Sequence, residues 1–458
     1  MTIAFVTLGC KVNQVDSDAL RQRMEAAGWT CVEVENPSIG QENISMAPTT
    51  SPDILVINSC AVTAESERKT RQKLRHFRAM YRDCILVLTG CAVQVSKEGD
   101  YPEADIVLGH RDTKNLAQYI DEFRLGEVRI ACVSSHHHTE LFDGVLPRES
   151  IVRACTPRAR TRAHLKIEDG CDRFCAYCII PHARGRVRSM PLEDIRCNIQ
   201  SLDAQGFREV VLVGINLAAY GSDLGCCDLS DILTLFSTEE NISNIKRVRL
   251  GSLEPDLLTP ELISKLENLS FCSKIELCPH FHVSLQSGCD STLNRMNRQY
   301  SPEEYFSLIK HLRALFPGAA ITTDILVGFP GESEAEFEAS LTFAQTVGFA
   351  KIHVFPYSPR PGTSAADMLE QIPRTVKQER TKKMLALADE CHTIFLNSQI
   401  GRTLEVLPEE PHPAGGMRGY SANYTPVRIT DAGTETQNQV IPVKVTSVRD
   451  DFCVGALS

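Results

Sequence analysis

The chain has 458 residues, which is more than one ordinary domain, so two to four domains are expected. With 43% hydrophobic and 23% charged residues it has the composition of a globular protein, and no run approaches the roughly 20 apolar residues that span a bilayer. Its formal charge of −10 argues against a surface that is basic throughout, so a nucleic-acid partner would need a local basic face.

The 18 cysteines are the unusual feature of the composition. Disulfide frameworks of that density belong to short secreted chains. The first residues, Met1 to Lys11, contain neither a basic segment nor an apolar stretch of signal-peptide length. We therefore expect a cytoplasmic protein with reduced thiols and no membrane partner. Some cysteines are then spaced for metal, and the others are small packing residues.

Residues 1–125 alternate short apolar runs with helical patterns, which predicts an α/β domain with a parallel sheet. A helix is expected from Asp16 to Ala27, ending at Gly28. Residues 126–155 are predicted to be a linker, and we interpret the run His136 to His138 within it as a solvated loop rather than a metal site. The predicted strands are Ile3–Val6, Ile54–Ile57, Ile85–Leu88 and Ile106–Leu108.

Residues 156–398 repeat a strand-then-helix pattern that predicts a partial (β/α)6 barrel of the TIM type. Its last helix is expected from about Thr375 to Asn397. Residues 399–458 contain only short β-type runs with Gly and Pro between them, which favours a small antiparallel β-barrel or sandwich. The predicted barrel strands are His164–Ile167, Val210–Val213, Arg247–Leu250, Phe281–Leu285, Ile321–Val327 and Lys351–Phe355.

Three cysteines, Cys171, Cys175 and Cys178, follow the first predicted barrel strand at the spacing C-x3-C-x2-C. We call them the loop triad. Three thiolates on a cuboidal four-iron cluster leave one iron open for an added ligand, such as the methionine end of S-adenosylmethionine. The alternative is a structural zinc site in which His182 supplies the fourth ligand.

Three further cysteines, Cys10, Cys60 and Cys91, each follow a Gly or Ser at the end of a predicted strand of the first domain. We call them the sheet triad. The carboxyl ends of parallel strands lie at one edge of a sheet, so these thiols should converge although they are distant in sequence. We interpret the sheet triad as the ligands of a second cluster held by three thiolates. The alternative is that three buried cysteines occupy these positions by coincidence. Glycine beside Cys10 and Cys91 allows a bulky group to approach the backbone.

The chain resembles the radical-SAM methylthiotransferase family over essentially its whole length. The resemblance is carried by the loop triad with Tyr177 before its last cysteine, by the string Lys166 to Pro181 around it, and by the sheet triad. The C-terminal string Gly419 to Tyr424 is similar to the RNA-binding TRAM domain. The strings Lys11 to Gln14, Thr63 to Gln72 and Gly419 to Tyr424 look most like the branch that modifies N6-threonylcarbamoyladenosine (t6A) beside the tRNA anticodon. The isopentenyladenosine branch usually reads Gln-Met-Asn after the first cysteine.

The resemblance implies two [4Fe-4S] clusters, S-adenosylmethionine, the tRNA anticodon arm as partner and an unidentified electron donor. It implies that a radical derived from S-adenosylmethionine activates C2 of t6A at position 37, and that a methylthio group carried at the sheet triad is inserted there. Isopentenyladenosine-37 or a ribosomal-protein aspartate is an alternative substrate. An iron–sulfur RNA-binding redox sensor without turnover is the alternative from a different class.

Polar residues at other predicted strand ends are candidates for holding S-adenosylmethionine, because amide and carboxylate groups suit its hydroxyls and ammonium. They are Asn216, Glu254, Gln286 and Asp324, to which the family motif adds Tyr177. Each of the four strand-end residues could instead cap a helix or satisfy a loop.

Two segments beside the triads are locally basic: residues 68–82 carry seven Lys and Arg and no acid, and residues 153–188 carry nine against three acids. A solvated face normally mixes signs, so these segments predict contacts to tRNA phosphates. The candidates for RNA binding are Arg68, Arg71, Arg75, Arg78, Arg184, Arg186, Arg188, Arg418 and Tyr424.

Overall fold

A computed structural model describes residues 1–34, 51–97, 99–136, 141–142, 161–239, 241–272 and 274–458. Most of the predicted linker, including His137 and His138, and residues 153–160 of the second basic segment lie outside the described residues. Among those described, none of the helices has the length and apolar character that a membrane crossing requires.

The N-terminal domain is built on a six-stranded parallel sheet, as predicted, with the order β2-β1-β3-β4-β5-β6. β3 is buried along its whole length, because side chains on both of its faces are covered. The strands are β1 (Thr2–Thr7), β2 (Thr30–Val32), β3 (Ile54–Ser59), β4 (Ile85–Gly90), β5 (Ile106–Leu108) and β6 (Ile130–Cys132). The helices are α1 (Lys11–Ala26), α2 (Ala64–Met80), α3 (Cys91–Gln94) and α4 (Leu116–Gly126).

Two edge strands and one helix start differ from the prediction. β2 and β6 are three residues long, too short to give an apolar run in sequence, and β6 lies inside the segment predicted as a linker. α1 begins at Lys11 rather than Asp16, because Gly9 turns the chain with φ of +115° and the helix starts directly after Cys10. Lys11 and Val12 therefore lie on the first turn of a helix.

The central domain is a partial barrel of parallel strands, in agreement with the predicted class. Its two four-stranded sheets, β13-β11-β10-β7 and β12-β14-β15-β16, follow on from each other because β11 continues into β12 after Gly251. The strands are β7 (Arg162–Lys166), β8 (Glu168–Asp169), β9 (Arg188–Ser189), β10 (Glu209–Val213), β11 (Arg247–Leu250), β12 (Ser252–Leu253), β13 (Glu276–Leu277), β14 (His280–Val283), β15 (Ala320–Val327) and β16 (Lys351–Pro356).

Helices cover the outside of this barrel, and its two faces differ in character. Outward side chains such as Val210, Leu212 and Phe281 join the largest apolar cluster under the helices. Alternate residues of the same strands face inward, and many of those are charged or polar, such as Glu209 and Arg249. The helices are α5 (Ile180–Arg184), α6 (Leu192–Ala204), α7 (Leu229–Thr238), α8 (Pro260–Cys272), α9 (Asp290–Arg295), α10 (Pro302–Leu315), α11 (Glu334–Val347) and α12 (Arg374–Asn397).

The C-terminal domain is a closed five-stranded barrel with the order β17-β18-β19-β21-β20. One pair, β19 with β21, is parallel, which corrects the expectation of a purely antiparallel barrel. The hairpin β20–β21 brings β21 back in the direction of β19, and this pair closes the barrel. The strands are β17 (Thr403–Pro411), β18 (Met417–Ser421), β19 (Pro426–Ile429), β20 (Ile441–Arg449) and β21 (Phe452–Leu457).

Candidate iron–sulfur and nucleic-acid site

The sheet triad converges at the carboxyl edge of the first sheet, where the sequence places it. Cys60 and Cys91 directly follow β3 and β4, and Cys10 lies three residues after the end of β1, the other neighbour of β3 in the sheet. The Cys10 thiol donates to Asn13 Oδ1 at 3.5 Å, and the Cys91 thiol donates to the same oxygen at 3.9 Å. A Cβ atom on Gly9 would lie 3.0 Å from Cys60 Cβ, so glycine is required for this approach.

Asn13 fixes the sheet triad, although sequence reasoning gave it no role. Its amide donates to Asn58 Oδ1 at 3.1 Å and to the Ser59 carbonyl at 2.8 Å. Asn58 in turn donates to the Asn13 carbonyl at 2.9 Å. These buried bonds tie the first turn of α1 to β3. The available signal was the repeated asparagine near Cys10 and Cys60.

The loop triad lies between β8 and α5, at the carboxyl end of the first barrel strand. Arg298 donates to Cys175 Sγ at 3.2 Å and forms an ion pair with Glu254 at 2.7 Å. The loop is held by backbone bonds as well, since the Ala176 amide donates to the Met296 carbonyl at 2.9 Å. Arg298 was visible in sequence only as part of a family motif, and the structure assigns it the contact to the loop triad.

Four thiols of the two triads have a raised pKa because they are buried. Burial, the largest cause, raises the pKa of Cys91, Cys171 and Cys178 to about 12, and it also raises the pKa of Cys60. Neighbouring thiols of the same triad raise these pKa values further. Such thiols become ligands when a positively charged group binds and stabilises the thiolates. Burial raises the pKa of the packing cysteines Cys84 and Cys278 in the same way, so the support for the triads comes from their positions in the fold.

The zinc alternative is less well supported by the geometry. Among the described residues, no group of three or more His, Cys, Asp or Glu side chains is placed to hold a single metal ion. His182 packs edge-on against Phe174, with ring centroids 6.2 Å apart. A cuboidal cluster separates its thiolates more widely than one ion does.

Arg184 links the two triads, and this corrects its prediction as an RNA contact. It is 1% exposed, so it cannot reach a nucleic acid. It donates to Asn13 Oδ1 at 2.9 Å and Asp16 at 2.9 Å on one side, and to Asp169 at 3.1 Å on the other. Asp169 precedes Gly170 and Cys171. The result is a continuous polar chain from the sheet triad to the loop triad.

Arg188 is buried as well and is likewise withdrawn as a direct RNA contact. It donates to the carbonyls of Arg184 and Arg186 at 2.8 and 3.0 Å. Lys166 completes this network with bonds of 2.7 Å to Asp16 and 2.6 Å to Asp169. Burial alone would raise the pKa of Asp169. The neighbouring positive charges of Arg184 and Lys166 outweigh burial and hold this pKa well below its usual range.

Two buried polar atoms beside Cys171 have no hydrogen-bond partner among the described residues. They are Oε1 of Glu168 and Oδ1 of Asn216. The other carboxylate oxygen of Glu168 accepts a hydrogen bond from the backbone N–H of Asn216 at 2.8 Å. Burial raises the pKa of Glu168 well above its usual range. Unpaired buried polar atoms mark a place where a ligand or water belongs. This corner therefore could hold a polar ligand, and Glu168, which sequence reasoning gave no role, is part of it.

The other candidates for S-adenosylmethionine fall into two groups. Glu254 and Tyr177 lie next to Arg298, and Glu254 is also close to Cys171. Asp324 instead faces the interior of the barrel, where His282 Nε2 lies 3.2 Å from its carboxylate. Gln286 has φ of +68° and bonds through its backbone to β15. The structure thus places Tyr177 and Glu254 with the loop triad, and Asp324 deeper in the barrel.

The arginines of α2 do not present a free basic surface. Each of the four candidates is bonded to an acid, two of which lie on the same helix and two on the segment before β5. Ion pairs at an exposed surface are weak, so the phosphate contacts of these arginines stay a prediction. The pairs are Arg68–Glu65 at 2.6 Å, Arg71–Glu67 at 3.0 Å, Arg75–Glu103 at 2.8 Å and Arg78–Asp105 at 2.5 Å.

The remaining candidates differ in their accessibility. Arg186 is exposed beside the loop triad, and its guanidinium lies 5.0 Å from the ring of the exposed Phe174. Arg418 is exposed on the C-terminal barrel. Tyr424 is mostly enclosed between that barrel and the central domain, stacked on Tyr420 at 4.8 Å. Both exposed arginines also pair with acids, Arg186 with Asp172 and Arg418 with Glu410, each at 3.4 Å. Arg186 differs from the others in lying beside an exposed aromatic ring, an arrangement that suits single-stranded RNA.

The fold and the cysteine loop after the first barrel strand define a radical-SAM protein. Residues 165–344 match the family model described as Radical SAM superfamily, and residues 2–109 match that described as uncharacterized protein family UPF0004. The solved structure of the radical S-adenosylmethionine methyltransferase TsrM from Kitasatospora setae shares the fold, with a TM-score of 0.54 at 14% identity over 80% of this chain and 77% of that chain.

Two curated relatives cover nearly the whole chain. The threonylcarbamoyladenosine tRNA methylthiotransferase of Bacillus subtilis is 34% identical over 97% of this chain and 93% of its own. The tRNA-2-methylthio-N(6)-dimethylallyladenosine synthase of Pelotomaculum thermopropionicum is 30% identical over 99% and 97%. The chain belongs to the radical-SAM methylthiotransferase family. Membership in the radical-SAM superfamily implies a [4Fe-4S] cluster and S-adenosylmethionine.

Proposed function

We propose that this protein inserts a methylthio group at C2 of N6-threonylcarbamoyladenosine at position 37 of tRNA. The observation that carries the proposal is the convergence of two cysteine triads, joined by Arg184, at one end of an open barrel. Several of its relatives are named threonylcarbamoyladenosine tRNA methylthiotransferases. The sheet triad is the proposed site of a second [4Fe-4S] cluster.

When bound, the cofactors would supply the difficult chemistry: one S-adenosylmethionine at a [4Fe-4S] cluster, with an external electron donor, would supply a radical, and a second S-adenosylmethionine would supply the methyl group of a sulfur carried at the second cluster. The chain supplies position and charge. Arg298 donates to Cys175 Sγ, and Glu168 and Asn216 offer unpaired polar atoms to a ligand beside Cys171. Arg184 holds the two triads in fixed relation. No side-chain nucleophile is needed for this reaction.

Mass spectrometry of nucleosides tests the proposed substrate. Deletion of the gene is expected to remove 2-methylthio-t6A from total tRNA and to leave t6A in its place, and a plasmid copy should restore it. An unchanged 2-methylthio-t6A peak in the deletion strain would reject the proposal. If the deletion strain instead loses the methylthio group of 2-methylthio-dimethylallyladenosine, dimethylallyladenosine is favoured as the substrate. The similarity to the tRNA-2-methylthio-N(6)-dimethylallyladenosine synthases supports this second candidate.

A redox sensor without turnover differs from an enzyme in one measurable product. With dithionite and S-adenosylmethionine, the anaerobically reconstituted protein is expected to release 5′-deoxyadenosine. The triple variant Cys171→Ala/Cys175→Ala/Cys178→Ala should release none. If the wild-type protein also releases none, the sensor becomes the better account.

Arg186 is the residue with the clearest predicted effect on RNA affinity. Arg186→Ala is expected to weaken binding of an anticodon stem-loop about equally for different sequences, because a phosphate contact carries no sequence information. The slope of log Kd against log salt should fall by roughly one. Arg196→Ala, a change at a half-exposed arginine on α6 paired with Glu193, is the control and should change neither quantity. A salt slope unaffected by Arg186→Ala would remove this residue from the RNA surface.

A further inference from the structure

We propose that Lys11 binds a carboxylate on the substrate inside the partial barrel, and thereby selects an adenosine with an acidic side chain over one with a hydrocarbon side chain. The inference rests on the proposed function, and it identifies a residue that determines substrate choice. The four observations that follow lead to it.

The first observation is the place of Lys11 in the fold. It follows Cys10 on the first turn of α1, whose Val12 packs against the inward side chains of Val211 and Val213 on β10. Lys11 Nζ lies 5.8 Å from the centre of the Tyr424 ring. The start of α1 therefore enters the open side of the barrel, and the exposed side chain of Lys11 occupies the space within it.

The second observation is that the neighbouring cations are already paired. Arg162 bonds to Glu409 at 2.6 Å, and Arg249 bonds to Glu209 at 2.7 Å. Lys11 forms no ion pair in the part of the chain that the structure describes. A lysine in a concave site, among other cations and without a carboxylate of its own, attracts an anion.

The third observation is a buried histidine on the same inner face. His280 is buried at the start of β14, and its Nδ1 has no hydrogen-bond partner among the described residues. Its ring lies 4.8 Å from that of Tyr424, against which Lys11 also lies. Burial, followed by the nearby Arg249, lowers the pKa of His280, so a neutral ring offers one N–H donor. His280 is therefore a neutral polar side chain on this face, and Lys11 supplies the positive charge there.

The fourth observation is the chemistry of the two candidate substrates. A threonine joined through its amine to a carbamoyl group keeps its carboxylate, whereas a dimethylallyl group is a neutral hydrocarbon. Burying a carboxylate costs free energy unless it is paired, and Lys11 supplies the pairing charge one residue from Cys10. The same lysine would gain nothing from a dimethylallyl group. The site thus fits the acidic nucleoside.

Binding of synthetic anticodon stem-loops to the cluster-loaded protein tests the inference. One stem-loop carries t6A and a second carries the same nucleoside with its carboxylate replaced by a carboxamide. Wild-type protein is expected to bind the acid about 10-fold or more tightly than the amide, the range of a charged hydrogen bond. In Lys11→Gln the two dissociation constants should become equal, through loss of affinity for the acid alone.

Controls separate a local effect from damage to the fold. Lys382→Gln changes an exposed lysine on α12, outside the barrel, and should keep the full preference for the acid. Iron content and visible absorbance of Lys11→Gln should equal those of the wild type. If that variant does not retain iron, Lys11→Met takes its place in the same comparison.

The outcomes distinguish this inference from the proposed function. If Lys11→Gln keeps the preference for the acid, or if wild-type protein binds acid and amide equally, the inference is overturned while t6A remains a possible substrate. If wild-type protein binds a dimethylallyladenosine stem-loop more tightly than the t6A stem-loop, the proposed function fails and the inference fails with it.

Discussion

Replacing all three cysteines of the sheet triad with alanine is expected to halve the iron content of the reconstituted protein, from about eight to about four irons per chain. Methylthiolation should be lost completely. Release of 5′-deoxyadenosine should persist, because Cys171, Cys175 and Cys178 remain in place. Iron analysis, electron paramagnetic resonance and product chromatography on the same sample measure all three.

The physical reason is the separation of roles between the two groups of thiols. The sheet triad is fixed by Asn13 and by the tight turn at Gly9, neither of which contacts the loop triad. Cys31→Ala is the matched control, since Cys31 belongs to the apolar packing of the same sheet and should leave all eight irons in place. Retention of about eight irons in the triple variant would show that these thiols are not ligands.

Glu209→Gln is expected to destabilise the protein by about 3–5 kcal/mol, the usual result of leaving a buried charge without its partner. Glu209 is fully buried and accepts bonds from Arg247 at 2.6 Å and Arg249 at 2.7 Å. Both guanidinium groups are also buried, so neither can recover its loss through water. Urea denaturation gives the change in free energy of unfolding.

The same substitution should loosen the C-terminal barrel. Arg247 donates to the Tyr420 carbonyl at 2.9 Å, and Arg249 donates to the Ala422 carbonyl at 2.8 Å. Limited proteolysis should therefore cut between the central domain and residues 402–458 faster in Glu209→Gln. In contrast, Glu410→Gln removes an exposed pair with Arg418 and should cost less than about 1 kcal/mol. Equal stability of Glu209→Gln and wild type would contradict this account.

The sequence predicted the parallel sheet, the partial barrel and both triads because each rests on local signals. Apolar runs mark buried strands, and a cysteine directly after such a run must lie at the carboxyl edge. The short strands β2 and β6 were not predicted, because a three-residue edge strand carries almost no hydrophobic pattern in the sequence. β18 carries almost no apolar pattern either, and its Gly419 is required because a Cβ there would lie 2.2 Å from the Leu407 carbonyl.

Charge counting along the sequence misjudged several arginines because it cannot show burial or distant partners. Arg184 meets Asp169 and Asp16, which are 15 and 168 positions away. The acids that neutralise Arg75 and Arg78 likewise come from beyond the counted segment. In the sequence, Lys11 is only one residue of the string Lys11 to Gln14, and no role for its side chain can be predicted from that string. The role comes from the entry of α1 into the barrel.

The Arg184 network has a consequence for how the enzyme is assembled in the cell. Asn13 and Asp16 are synthesised well before their partners Lys166 and Arg184. When the N-terminal domain leaves the ribosome, these two side chains therefore lack the hydrogen bonds that the central domain later supplies. Docking of the central domain completes the surroundings of both triads in one event. The polar surroundings of the sheet triad are therefore complete only after the central domain has been synthesised and has docked.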